Sequence, residues 1–181
     1  MLKIYAIAHS DTDRHEAARL LLRWKYEEVW ERPLPEIVIG ERGKPTFREG
    51  SARFSISHTK GASFCALCDS EIGLDVERMR SVSATMAQKV LSREEWELYS
   101  SAENPTVEFL RFWTLKEAYF KFTGEGIHGD LRDIVFDLSE SRPVLLARPE
   151  LQFWSRQVGD FVISACADAW HRPELYMDEV Q

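Results

Sequence analysis

The stretch at 104–124, NPTVEFLRFWTLKEAYFKFTG, decides how the rest of the chain has to fold. Asn104 is a good N-cap, Pro105 suits a first helical turn, and Gly124 is a natural stop, so the spacing predicts a helix over 105–123. Set at ~100° per residue, Phe112, Leu115, Tyr119 and Phe122 share one side and Phe109, Trp113 and Phe120 the adjoining one. Leu110, Glu117 and Lys121 come next round the circle, with Thr114 and Ala118 beyond. A helix apolar over most of its circumference belongs between other elements rather than on a surface. Glu117 and Lys121 then line a protected seam. On an exposed helix they would be an ordinary i,i+4 pair worth ~0.2–0.5 kcal/mol, a use the apolar surroundings disfavour.

Around this helix the chain punctuates itself into short elements. Residues 2–8 read as a strand, and Ser10, Asp11, Thr12 and Asp13 offer N-caps for a helix running to about Trp30, with Asp13 and Glu16 as a loose capping box. Pro33 and Pro35 stop that helix before a short strand at 37–39 and a Gly-bearing loop, GERGKPTFREGS. Strands follow at 54–57 and 63–68, joined across HTKGA, and at 72–76. Helical segments near 84–91 and after Ser92, where Ser92 and Glu95 form a capping box, precede the 105–123 helix. Short strands at 134–138, 144–146, 151–155 and 161–167 complete the reading. Each half thus runs helix, strand, hairpin, and SFCALCDS and FVISACAD are alike in texture. The expected halves are 1–100 and 101–181 of one compact unit.

Residues 73–77, GLDVE, set two carboxylates two positions apart just after the alternating run ASFCALCDSEI. In an extended strand Leu74 and Val76 face one way and Asp75 and Glu77 the other, with the two acids' Cα atoms about 6.6 Å apart. Like charges that close to a core need a neutralising partner. One answer is a divalent cation, since all-oxygen ligation suits Mg²⁺ or Mn²⁺. The other is a surface pair answered by Arg78 and Arg80. Two further motifs have phosphate-binding chemistry. FSISHTKG places Ser55, Ser57 and His58 at a strand end before a Lys-Gly turn, where hydroxyls, an imidazole and free backbone N–H groups can hold phosphate oxygens. Gly43-Lys44-Pro45 combines close backbone approach with a point charge, although alone it is a common turn.

Composition narrows the classes. The chain has 181 residues, 44% of them hydrophobic, and a net charge of −7, which argues against general nucleic-acid binding. Between Arg78 and Lys121, seven Lys or Arg stand against six Asp or Glu, so this segment is nearly neutral in an acidic chain. No apolar run approaches the ~18 residues of a membrane span, and MLKIYAIAHSD lacks the basic flank and cleavage region of a secretory leader, so a cytoplasmic protein is expected. Cys65 and Cys68 form a lone CxxC, but residues three apart on a strand face opposite ways and no second pair completes a tetrahedral site, so both read as core.

Taken in order, GKPTF, FSISHTKG, GLDVE and WTLKEAYFKFTGEGI, spread over residues 43–127, resemble the 4'-phosphopantetheinyl transferases, in particular the larger monomeric type that activates peptide and polyketide synthetases. The resemblance implies an α+β fold of two similar halves about a pseudo-twofold axis, with coenzyme A and Mg²⁺ between them. It makes Asp75, Glu77 and Glu117 the metal ligands and Glu117, Lys121 and Asp75 the catalytic set, with Glu117 the candidate base and Glu77 still open for that role. Lys121 is expected on the pyrophosphate, Ser57 and His58 on coenzyme A phosphates, and Gly43, Lys44 and Pro45 beside the adenine and nucleotide phosphate. The implied partner is an apo acyl or peptidyl carrier protein, and its serine takes the phosphopantetheine as 3',5'-adenosine bisphosphate leaves.

The family's short trimeric type is a single half, which the length and the two halves here disfavour. Arg14, Arg19, Arg23, Lys25, Arg32 and Arg42 are all available for the nucleotide 3'-phosphate. Two other readings remain: a non-catalytic module binding carrier protein or nucleotide, and another Mg²⁺-dependent phosphoryl-transfer enzyme, for which no G-x-x-x-x-G-K-[ST] loop is present. Met79, Met86, Val90 and Leu91 serve either as a carrier-docking surface or as core.

Overall fold

A computed structural model of the chain describes residues 1–10, 13–126, 128–169 and 171–177. The N-cap candidates Asp11 and Thr12, and Ile127 at the end of the WTLKEAYFKFTGEGI motif, lie outside the described residues. In order the elements are β1 (Leu2–Ala8), α1 (Arg14–Trp30), β2 (Ile37–Ile39), β3 (Pro45–Phe47), β4 (Arg53–Thr59), β5 (Ala62–Cys68) and β6 (Ile72–Arg78). There follow α2 (Ala84–Val90), α3 (Arg93–Ser101), α4 (Pro105–Thr123), a 3₁₀ turn at Leu131–Asp133, β7 (Phe136–Asp137), β8 (Val144–Leu145), β9 (Gln152–Val158), β10 (Phe161–Ala167) and β11 (Pro173–Tyr176).

Two main sheets carry the fold. One has the order β11-β1-β5-β4 and the other β6-β10-β9. Their facing sides share one apolar cluster, in which Ile4, Phe64, Ala66 and Cys68 meet Leu74, Val76, Ile163 and Ala165. On the outer face of the first sheet, Leu21, Leu22 and Tyr26 of α1 pack against Tyr5, Phe54, Cys65 and Leu67. On the outer face of the second, Phe109, Phe112, Leu115 and Ala118 of α4 pack with Phe153, Val162 and Cys166. The result is four layers, helix, sheet, sheet, helix, with β5, β10 and most of β6 buried on both faces. Period-2 alternation sends Cys65 and Cys68 of β5 to different clusters, and both thiols are buried.

The topology repeats. Strand, helix, small hairpin, then long hairpin describes β1-α1-β2-β3-β4-β5 and also, with α2 and α3 inserted after the strand, β6-α4-β7-β8-β9-β10, the sheet orders β1-β5-β4 and β6-β10-β9 running in matching sense. Both long hairpins turn in two residues, Thr59 facing Ala62 and Val158 facing Phe161, with Gly61 at φ 80 and Gly159 at φ 55. A division at residue 100 leaves β6 apart from β10, the strand it pairs with in register from Ile72 to Arg78.

Helix ends follow their side chains. Ser92 and Glu95 make the expected capping box, and Asn104 Oδ1 accepts the Val107 N–H. α1 departs from expectation: Asp13 makes no side-chain cap, because its carboxylate instead accepts the Ser10 hydroxyl. α1 also ends before Pro33, with Glu31 in a left-handed turn at φ 51. The strand expected over 134–138 shortens to two residues, since Ile134 closes the preceding 3₁₀ turn. Val90 and Leu91 are buried, with Met79 and Met86 packed against the same cluster, so their use is core.

Candidate active site

α4 lies directly on β6 because Gly73 has no side chain. A Cβ there would stand 2.0 Å from the Ala118 carbonyl oxygen and 2.4 Å from the Phe122 nitrogen. This contact brings Glu117 and Lys121, one turn apart on α4, up to the acids of β6. Asp75 is buried, and its Oδ1 accepts hydrogen bonds from Lys121 Nζ at 2.8 Å and from Ser57 Oγ at 2.9 Å. Asp75 Oδ2 is equally buried and has no partner. Lys121 therefore gives its hydrogen bond to Asp75 rather than to Glu117, its i,i+4 neighbour.

Glu77 faces the same way as Asp75, as alternation requires. Its Oε1 accepts the Trp113 indole N–H at 3.0 Å, and Arg80 stands 3.6 Å from Oε2. Arg78 turns instead to Asp160, at 3.2 Å. Arginine thus touches one of the two acids weakly and leaves Asp75 to Lys121. Burial, and next the charge of Asp75, push the Glu77 carboxyl above its usual range. The same two causes raise Glu117 further, to about 7, with Glu77 adding to the rise and Lys121 opposing it. Three carboxylates sharing too little positive charge suit an oxygen-preferring cation. They are not drawn into a closed set: among the described residues, the only trio of such side chains with ligand atoms all within 4.8 Å is Cys68, Asp69 and His171, elsewhere in the fold.

Beside the acids opens a cavity of about 240 Å³. Gly43, Lys44 and Pro45 line one side and Glu117, Phe120 and Lys121 another, with Arg42, Phe54, Ser55, Ile56, Gly124 and Gly126 completing the wall. The GKP turn thus shares this cavity with the α4 residues. Lys44 is committed differently from the expectation, because its ammonium donates to Glu71 Oε1, to the Ile72 carbonyl and to the Phe122 carbonyl at 2.7 Å. That satisfies an end carbonyl of α4 and uses all three of its donors.

Ser57 is likewise engaged. Its hydroxyl donates to Asp75 and accepts the Val76 N–H at 3.2 Å. Ser55 Oγ accepts the Leu74 N–H and Thr59 Oγ1 the Arg78 N–H, so alternate hydroxyls of β4 satisfy alternate N–H groups on the open edge of β6. This ladder engages both Ser55 and Ser57. His58 lies on the other face, edge-on to His15 at 4.5 Å between ring centroids. Burial first, then the positive charges of His15, Arg14 and Lys121, hold the His58 imidazole below its usual range.

Some contributors were not legible. Trp113 orients Glu77, and Phe120 walls the cavity. Lys116, beside Glu117 in sequence, is fully buried and donates to Glu95 Oε2 at 2.6 Å and to the Val90 and Leu131 carbonyls, while Glu95 Oε1 accepts the Phe136 N–H. The i,i+4 pattern gave no sign of this clamp, whose partners lie on other elements.

The sequence profile of the 4'-phosphopantetheinyl transferase superfamily matches residues 71–166. The chain belongs to that superfamily. The matched segment runs from just before β6 through most of β10, so it contains Asp75, Glu77, Glu117 and Lys121, while Gly43, Lys44, Pro45, Ser57 and His58 precede it. Among curated relatives, 4'-phosphopantetheinyl transferase psf-1 of Bacillus pumilus is 29% identical over 77% of this chain and 62% of its own length. The gsp transferase of Aneurinibacillus migulanus is 29% identical over 78% of this chain and 65% of its own. HetI of Nostoc sp. is 35% identical over 58% of this chain and 48% of its own length. The chain thus spans about half to two thirds of these 4'-phosphopantetheinyl transferases, and the resemblance read from the four motifs is borne out at the level of the superfamily.

Proposed function

We propose that this protein transfers the 4'-phosphopantetheine group of coenzyme A to a serine of an apo acyl or peptidyl carrier protein. Asp75 carries the reading: one oxygen is held by Ser57 and Lys121 while the other is buried and unpartnered, and its charge is felt by both Glu77 and Glu117. A buried carboxylate oxygen without a partner is costly unless something cationic meets it, so the donor set fits a hard divalent ion such as Mg²⁺. Asp75, Glu77 and Glu117 would hold that ion, which when bound supplies charge neutralisation at the transferring phosphoryl group.

The chain's own groups do the rest. The cavity between the GKP turn and α4 receives the nucleotide, and Arg42 is the one of the six candidate basic residues on its wall. Lys121 pairs with Asp75 at 2.8 Å and presents positive charge beside the pyrophosphate. Glu117, with its carboxyl raised to about 7, takes the proton of the carrier serine as its hydroxyl oxygen bonds to the β-phosphorus. The bond from that phosphorus to the bridging oxygen then breaks, releasing 3',5'-adenosine bisphosphate. The halves that enclose the site divide, in this reading, between β5 and β6, and the protein works as a cytoplasmic monomer.

The test is mass measurement of several apo carrier proteins incubated with the protein, coenzyme A and Mg²⁺. Gain of one phosphopantetheinyl group, abolished in Asp75→Asn, is expected; no gain on any carrier overturns the reading.

A further inference from the structure

The cluster Cys68, Asp69 and His171 lies away from the cavity, where the link from β5 to β6 meets the segment leading into β11. Its ligand atoms converge. His171 Nε2 is 3.3 Å from Asp69 Oδ1, and Cys68 Sγ is 3.9 Å from the same oxygen. Ser70 Oγ sits among them, 3.1 Å from Nε2 and 3.4 Å from Sγ. With Zn–N and Zn–O near 2.1 Å and Zn–S near 2.3 Å, a tetrahedral zinc requires N···O and S···O edges of about 3.4 and about 3.6 Å. The edges present differ from these by only a few tenths of an ångström.

We propose that Cys68, Asp69 and His171 form a structural zinc site, with Ser70 or water in the fourth position. A thiolate, an imidazole and a carboxylate are a borderline-soft donor set, suited to Zn²⁺ and poorly matched to Mg²⁺. Cys68 is fully buried and the His171 ring is 18% exposed, so two of the three donors are fixed by packing before any ion arrives. The Met1 ammonium now neutralises Asp69 at 2.8 and 2.9 Å and lies 2.8 Å from His171 Nδ1. It engages the ring nitrogen opposite the one facing Ser70, and it competes with a metal for Asp69. The thiol must lose its proton and Nε2 must be bare, so zinc uptake releases protons and strengthens as pH rises. The site would fasten the segment that carries β11 to the end of β5, two strands that flank β1 in the sheet.

The test uses the whole protein, stripped with a chelator and titrated with Zn²⁺, and with Co²⁺ as the optical probe. One equivalent of Zn²⁺, a thiolate-to-Co²⁺ charge-transfer band and a raised Tm are expected. Cys68→Ser should abolish the band, and His171→Gln, at a more exposed position, should weaken Zn²⁺ binding at least tenfold while the fold persists. Asp75→Asn should retain both band and stoichiometry, which keeps this outcome separate from that of the transferase reading. A titration without a thiolate band, or unchanged Zn²⁺ affinity in His171→Gln, overturns the proposal.

Discussion

Replacing Glu117 by Gln removes a charge that the fold holds at a cost, so this loss of a functional group should stabilise the protein. Raising a carboxyl from 4.5 to about 7 disfavours its ionised form by about 3 kcal/mol, at about 1.36 kcal/mol per pH unit. Glu117 is only partly buried, and solvent screening reduces this to about 1–2 kcal/mol. The folded pKa lies above the unfolded one, so the folded state binds the extra proton. The contribution to stability is therefore complete below pH 4.5 and is lost as pH rises through about 7. Urea unfolding at pH 4.5 and pH 8 should show the wild type losing about 1–2 kcal/mol relative to Glu117→Gln across that interval. Added Mg²⁺ at pH 8 should restore the wild type more than the variant, because the variant has lost one of three anionic ligands. A variant that loses stability relative to the wild type between those pH values would refute the reasoning, since Glu117 would then be stabilised by its charge.

His58 should titrate upward when an anion arrives: its imidazole is held low by burial and nearby cations, and phosphate would offset the latter, so ¹H–¹⁵N spectra recorded against pH with and without coenzyme A should show the shift. Gly73→Ala should cost about 3 kcal/mol in chemical denaturation, as the atoms its Cβ meets are backbone atoms of α4 that cannot rotate away. Lys116→Met should cost ~3–5 kcal/mol by leaving Glu95 buried without its cationic partner, and adding Glu95→Gln should recover part of that loss.

Periodicity revealed much of this architecture. The 105–123 helix, its burial and both of its caps were readable because they depend on residues within one or two turns. The hairpins were readable for the same reason. What escaped depends on contacts between distant segments. β11 starts at a proline and is short, and only its parallel pairing with β1 makes it a strand. At the site, alternation correctly put Asp75 and Glu77 on one side, and the circumference of α4 correctly brought Glu117 and Lys121 towards them. Spacing could not tell that Lys121 chooses Asp75, that Lys44 spends its donors on the end of α4, or that Ser57 belongs to a ladder. Each of these outcomes was settled by which acceptor lay within reach after two sheets had packed.

The hydroxyls of β4 have an effect that outlasts their hydrogen bonds. Two strand edges joined by peptide groups would stand ~4.8 Å apart and merge their sheets into one continuous surface. Ser55, Ser57 and Thr59 interpose a side chain at every rung, so the edges are spliced but kept a hydroxyl's length further apart. The sheets can then turn face to face, and a wedge stays open along the splice. Asp75 and Lys121 occupy that wedge. A β4 with valine in place of these three residues would leave the β6 N–H groups without acceptors and would favour closure of the gap. The short repeat of small alcohols thus acts as a shim that sets the width of the cleft.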